Sequence, residues 1–310
     1  TINRPSITTR LAINDSEANE YISQAGEKIR VDIDWANNLP TVIEDAEFKV
    51  YLNGNVFDRL SVSSGRGFYQ SADNTIVWNK ANNGELGLIE PGKFGRVSFT
   101  FNILPAGRQP AGGAQVLDLK LAVQGLRVDS EISEREIKAE FGKTIKVGSS
   151  LQLAGRSVYY VGPFTNRGPI PPRAGQETTY TIIWSVVNQS NLVRNGLARA
   201  RLPSSVKWIG AVSPTGEKVS YDETKNEVMW TLGDVLAGTG GTSPAREVAF
   251  QIALTPSLSQ IGIAADLLQE IIFTGYDTFA GVEVKRTTLP INTRLNTDPK
   301  WPRDADKVAE

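Results

Sequence analysis

Between Lys28 and Asn37 apolar and polar side chains alternate, with Ile29, Val31, Ile33 and Trp35 set against Arg30, Asp32 and Asp34. A period of two places one set on each face of an extended chain, which predicts a half-buried strand. The same alternation runs through Tyr180, Ile182 and Trp184; through Phe48, Val50 and Leu52; through Val97, Phe99 and Phe101; and through Val248, Phe250 and Ile252. Asn- and Gly-rich clusters separate these runs, at residues 53–55, 82–84 and 238–241. Both residue types tolerate positive φ, so the clusters read as turns. Many short strands between turn signals predict an all-β sandwich. Helical periodicity is scarce, and only residues 257–269 and 16–21 are expected to hold a short helix or helical turn.

The pattern occurs twice. AGEKIRVDIDWANN from Ala25 lines up with AGQETTYTIIWSVVN from Ala174, which pairs Trp35 with Trp184. TIVWN from Thr75 lines up with EVMWT from Glu227 and pairs Trp78 with Trp230. GRVSFTFNILP, ending at Pro105, lines up with REVAFQIALTP, ending at Pro256, and pairs Phe99 with Phe250. Order and spacing persist together, with Gly125 and Lys138 answered by Gly275 and Lys285. This is the signature of a duplicated unit. The fold expected is two tandem Ig-like β-sandwich domains over 1–148 and 149–298, followed by a C-terminal tail at 299–310. The four tryptophans are expected in the core, since matched positions in both copies suit packing better than ligand stacking. The proline-rich stretch NRGPIPPRAG at residues 166–175 has no counterpart in the first copy. It reads as a stiff approach loop, with a docking epitope as the alternative.

The stretches GQETTYTIIWSVVNQSN, ARLPSSVKW and VMWTLGDVLAGTG of the second copy resemble the bacterial conserved-repeat domain. The positions that carry the resemblance are Gly175, Tyr180, Ile182, Asn188, Leu202, Pro203, Trp230, Leu232, Gly233, Leu236 and Gly238. It extends over residues 175–255 and is weaker in the first copy, where Ile29 replaces the Tyr and no Leu-Pro follows Val50. The chain is also similar to surface proteins of candidate-phyla bacteria. The resemblance implies tandem Ig-like sandwiches displayed outside the cell or on the envelope. It implies no catalytic residues, because that family shares no reaction, and its motifs describe a scaffold more than a function.

Composition narrows the chemistry. The 310 residues contain no His and no Cys, which removes the commonest general base, thiolate catalysis and disulfides together. A Ser nucleophile would need a Lys or carboxylate base, and no GxSxG motif occurs. With 33 basic and 34 acidic residues the net charge is -1, which offers no electrostatic draw for nucleic acid. The chain begins at Thr1 and its one methionine is Met229, so the sequence reads as a processed piece whose signal or anchor would lie outside it. No apolar run is long enough to predict a spanning helix.

No catalytic, cofactor-binding or metal-ligating residue is therefore assigned. Calcium is the one possible cofactor. Asp32 and Asp34 share a strand face and residues 14–17 form a polar loop, though a solvated face explains both sets. A Lys–Asn isopeptide crosslink is a poor prospect at Lys49, which alternates outward. Candidate ligand contacts are Phe68 and Tyr69 in the Gly-flanked GRGFYQS loop, and Tyr159 and Tyr160 before the proline-rich stretch. Folding back as a hydrophobic plug is the alternative for the first pair. Three functions follow as expectations: a structural spacer forming a stiff rod, an adhesion module for surface glycan or protein, or a self-assembling subunit of a filament or layer. The partners expected are neighbouring repeats of the same parent chain, other copies, or a surface glycan or protein.

Overall fold

In the computed structural model the chain divides into two compact units, Thr1–Gly148 and Ser149–Glu310. The structure describes residues 7–109, 115–128, 136–302 and 304–310. The described chain is nearly all β, and each unit is a two-sheet sandwich.

The first unit contains β1 (Ile7–Ile13), β2 (Glu20–Ser23), β3 (Lys28–Asn37), β4 (Ile43–Gly54), β5 (Phe57–Ser64) and β6 (Phe68–Gln70). It continues with β7 (Thr75–Trp78), β8 (Leu88–Ile89), β9 (Phe94–Ile103), β10 (Val116–Arg127) and β11 (Glu136–Val147). One sheet has the order β1-β3-β9-β5, and the other β2-β11-β10-β4-β7-β6 with β8 against β4. The alternation read from the sequence does the packing. Ile29, Val31, Ile33 and Trp35 of β3 and Phe48, Val50 and Leu52 of β4 turn inward into one shared core.

The second unit contains β12 (Leu151–Val158), β13 (Thr178–Asn188), β14 (Val193–Arg201), β15 (Val206–Ser213), β16 (Lys218–Asp222) and β17 (Glu227–Val235). Then come β18 (Arg246–Leu254), β19 (Asp266–Leu268), β20 (Ile272–Asp277), β21 (Val282–Thr287) and β22 (Ile291–Asn292). Its sheets have the orders β12-β13-β18-β15 and β16-β17-β14-β20-β21, with β19 and β22 as a separate pair. Taken in chain order these are the pairings of the first unit again. β13 and β18 repeat β3 and β9, and β14 and β17 repeat β4 and β7.

The register corrects one part of the sequence match. Phe99 sits opposite Val31, and Phe250 sits opposite Ile182. With the phenylalanines aligned, Trp184 therefore takes the place of Ile33, and Trp35 lies one pleat further along. Both indoles keep the same face of equivalent strands and are buried, which is why an alignment by residue type paired them. The Trp78–Trp230 match stands, because Phe48 opposite Trp78 corresponds to Ala198 opposite Trp230. A fully buried tryptophan removes roughly 150–250 Å² from water, worth about 4–6 kcal/mol.

What the corrected register does align is a pair of buried asparagines at the ends of β3 and β13. Asn37 Nδ2 donates to the carbonyls of Thr41 (3.0 Å), Ile89 (3.0 Å) and Glu90 (3.2 Å), and its Oδ1 accepts from Leu39 N (2.9 Å). Asn188 Nδ2 donates to the carbonyls of Asn191 (2.7 Å), Val235 (3.1 Å) and Leu236 (3.4 Å). Each side chain ties the turn after its own strand to a segment of the opposite sheet. Satisfying buried carbonyls in this way closes one end of the sandwich.

Residues 16–21 depart from the helical expectation and run irregularly into β2, whereas residues 257–269 hold the expected helical turn, a 3-10 turn at Leu258–Gln260 before β19. Ser257 and Gln260 form a capping box there, so the start signal is real, but the chain is taken up by strand pairing within one turn. The expected tail at 299–310 is integrated into the second unit, with Ala305 and Val308 buried and bridges from Val308 to Ile261 and from Ala309 to Arg173. No helix among the described residues is long and apolar enough to cross a membrane.

Candidate functional site

Phe68 and Tyr69 lie on the short strand β6, paired with Val77 and Ile76 of β7. Tyr69 packs against the first core and donates its hydroxyl to Asn74 Oδ1 (3.0 Å). Burial raises its pKa. The second unit repeats this arrangement, with Tyr221 donating to Asn226 Oδ1. Asn74 and Asn226 both hold positive φ, 55° and 52°, at the tip of the hairpin. A contact made in both copies is a hairpin lock, so the Tyr69 hydroxyl is engaged inside the scaffold. The spacing Tyr-x4-Asn-x3-Trp, present at Tyr69–Asn74–Trp78 and Tyr221–Asn226–Trp230, is the sequence signal for it. Phe68, 60% exposed, has no such role.

Tyr159 and Tyr160 follow β12 and belong to a larger aromatic group. Their rings meet edge-on at 4.8 Å, Tyr159 also meets the buried Tyr180 at 6.0 Å, and Tyr160 lies 6.4 Å from Trp301. Asp298 holds the pair in place. Its Oδ2 accepts from Tyr159 N (2.8 Å) and Tyr160 N (2.7 Å), and its Oδ1 accepts from Lys300 N (3.1 Å). Burial alone would raise the Asp298 carboxyl, but the surrounding backbone N–H groups outweigh it and hold its pKa below the usual range. Tyr159 donates its hydroxyl to Gly168 O (2.8 Å) and is half-buried, whereas Tyr160 is exposed.

Beside Trp301 is a cleft of about 380 Å³, also lined by Arg294, Asp298, Pro302, Asp304 and Asp306. Arg294 and Asp306 are ion-paired at 3.1 Å. Aromatic edges next to a polar cleft can stack an apolar face and hydrogen-bond its rim. Trp301 lies outside the candidate residues Tyr159 and Tyr160 because residues 299–310 read as a tail from sequence alone.

The proline-rich stretch is pinned along its length. Asn166 Nδ2 donates to Tyr159 O and Thr181 Oγ1, Arg167 N to Thr179 Oγ1, Thr178 Oγ1 to Pro169 O, and Ala174 N to Ala309 O. The carboxylates weighed for calcium are engaged by arginine. Asp32 is buried and pairs with Arg30 at 2.9 Å, while Asp34 pairs with Arg96 at 2.5 Å. In the polar loop at residues 14–17, Asn14 donates to Tyr21 and Glu27 and accepts from Arg30 N. Lys49 pairs with Glu47 at 2.7 Å. Among the described residues no group of three or more Asp, Glu, His or Cys is arranged to hold a metal ion.

No protein-family model and no curated protein matches the chain. Among solved structures it is similar to the C-terminal domain of the Streptococcus agalactiae AgI/II polypeptide BspA, at 11% identity over 93% of this chain and 100% of that one, with a TM-score of 0.29. It is similar to the C-terminal domain of the Streptococcus pyogenes antigen I/II-family protein AspA, at 10% identity over 94% and 100%, with a TM-score of 0.28. A cohesin–dockerin complex from Clostridium thermocellum matches at 12% identity over 46% of this chain and 96% of that one, with a TM-score of 0.27. Scores and identities this low carry no function over to this chain.

Proposed function

We propose that this chain is a non-enzymatic spacer module of a bacterial surface or secreted protein. The observation that carries the reading is one sandwich topology built twice and joined by three residues, Gly148 to Ser150, between β11 and β12. The first two of these are fixed in their own units. Gly148 N donates to Ser23 O (2.8 Å), and Ser149 donates through N (2.7 Å) and Oγ (2.6 Å) to Asp277 Oδ2. Asp277 is fully buried and also accepts from Asn191 Nδ2, Phe279 N and Ala280 N. A carboxylate placed there to hold the first residue of a unit makes sense if the join must not fray. The bacterial surface setting is supported by the conserved-repeat motifs of the second unit. The test is to insert the chain between a membrane anchor and an antibody epitope on a cell. Deleting residues 1–148 should reduce antibody access to the epitope, and unchanged access would count against a spacer.

The Tyr160–Trp301 group favours a second reading, an adhesion module in which the second unit takes a glycan or protein at the aromatic cleft. A glycan array probed with the full chain and with Trp301→Ala decides it. Binding that the substitution does not weaken would remove this site.

A further inference from the structure

The first unit is closed by a pairing of a different kind from the rest. β2, near its start, lies parallel to β11, at its end, with Glu20, Tyr21, Ile22 and Ser23 opposite Thr144, Ile145, Lys146 and Val147. Every other named strand pair of the described residues is antiparallel. Thr144 N donates to Asn19 O (3.0 Å) at one end of this patch and Gly148 N to Ser23 O (2.8 Å) at the other. Ser23 Oγ donates to Lys146 O (3.3 Å), Lys146 pairs with Glu20 (2.9 Å), and Lys143 Nζ donates to Ala18 O (2.9 Å). Ile145, Val147 and Ser23 are buried beneath it.

We infer that this patch is a mechanical clamp and that the first unit is built to carry tension along the chain. A parallel pair presents the leading end of β2 and the trailing end of β11 at opposite ends of one ladder. A pull on the two sides of the unit therefore slides the strands past each other and loads all their hydrogen bonds together. An antiparallel hairpin pulled at its open end loads its bonds one at a time. Parallel ladders space their bonds evenly, so the load is shared. Forced opening is governed by the unfolding rate, which a simultaneous rupture slows.

The second unit has a lesser version of the same closure. Pro172 takes the place of Ser23, its carbonyl accepting from Ala309 N as that of Ser23 accepts from Gly148 N. There Ala309 lies parallel to Arg173 as a single bridge, with Ala309 N donating to Pro172 O (2.8 Å) and Ala174 N to Ala309 O (2.9 Å). Pro171 and Pro172 have no N–H to extend that ladder. The two units are thus unequal in load-bearing although they share a scaffold.

This inference gives the spacer a load, but it stands on bond geometry and is tested separately from any surface role. The full chain is pulled by its ends in single-molecule force spectroscopy. The units hold 148 and 162 residues (310 minus 148), so the length of chain released identifies each event. The second unit should open first and the first unit at a clearly higher force. Ile22→Pro with Ser23→Pro gives the first unit the prolines of the second, and should bring its opening force down to that of the second unit. Because the chain has no Cys, Arg66→Cys provides a single handle in the turn that links β5 of one sheet to β6 of the other. Pulling from it and the C-terminus should open the otherwise unaltered first unit at a lower force than end-to-end pulling. If the first unit opens at the same force from either attachment, or before the second unit in end-to-end pulling, there is no clamp.

Discussion

At the scale of single residues, three polar groups buried in similar sandwiches have different worth. Asn37 satisfies three carbonyls and one N–H, whereas Asn188 satisfies three carbonyls and its Oδ1 has no partner. Leaving buried polar groups unpaired costs about 1–3 kcal/mol. Asn188→Ala should therefore lose about 2–3 kcal/mol in urea unfolding, and Asn37→Ala more. Tyr180 is the opposite case. Its hydroxyl is buried without a partner, and burial drives its pKa upward. Tyr180→Phe should change stability by less than about 1 kcal/mol in the same measurement, because no hydrogen bond is lost. Asp298 adds a pH dependence. Its folded pKa is depressed, so its contribution is present above the unfolded carboxylate value and is lost as pH falls through the folded one. Melting curves should show that Asp298→Asn lowers the midpoint at neutral pH and that the difference shrinks toward pH about 3.

At the scale of elements, the hairpins β6–β7 and β16–β17 show how far the sequence could be read. The alternation located the strands, because one face of each is inward and the period of two leaves a mark on composition. Tyr69 and Phe68 appeared equally available in a Gly-flanked loop. Only the register separates them, placing Tyr69 over the core with its hydroxyl on Asn74. Asn74→Ala leaves at φ 55° a residue that tolerates the left-handed region less well than Asn, and it removes that bond. A loss of about 1–3 kcal/mol is expected by urea unfolding, with Asn226→Ala behaving alike in the second unit. Trp35 and Trp184 show the limit of matching by residue type. Two positions along a strand return to the same face, so a displacement by one pleat keeps every in-or-out assignment and changes only the neighbours. Trp301 was missed for a related reason: residues 299–310 have no period, and their burial comes from single bridges to residues 173, 261 and 264.

At the scale of the whole molecule, each unit has its own core, one running from Ile7 to Val147 and the other from Leu151 to Val308. Residues 1–148 and 149–310 expressed separately should each give a cooperative melt. Residues 149–298 alone should not, because they lack Val308 and its bridge to Ile261. The duplication was legible as ordered spacing, and so was the absence of His and Cys. The cleft beside Trp301 was not, since the aromatic group at its edge joins Tyr160 to Trp301, far apart in the chain.

The closure of β2 by β11 has a consequence for how the first unit comes into being. The strand delivered early, whether by a ribosome or through an export pore, must wait for the one delivered last. Until residue 147 has emerged, β2 is an unpaired edge and the sheet behind it has no lid. The second unit waits in the same way for residue 309. Each unit therefore completes itself in one late step, and a stalled or clipped chain is left with an open flank rather than a smaller finished domain.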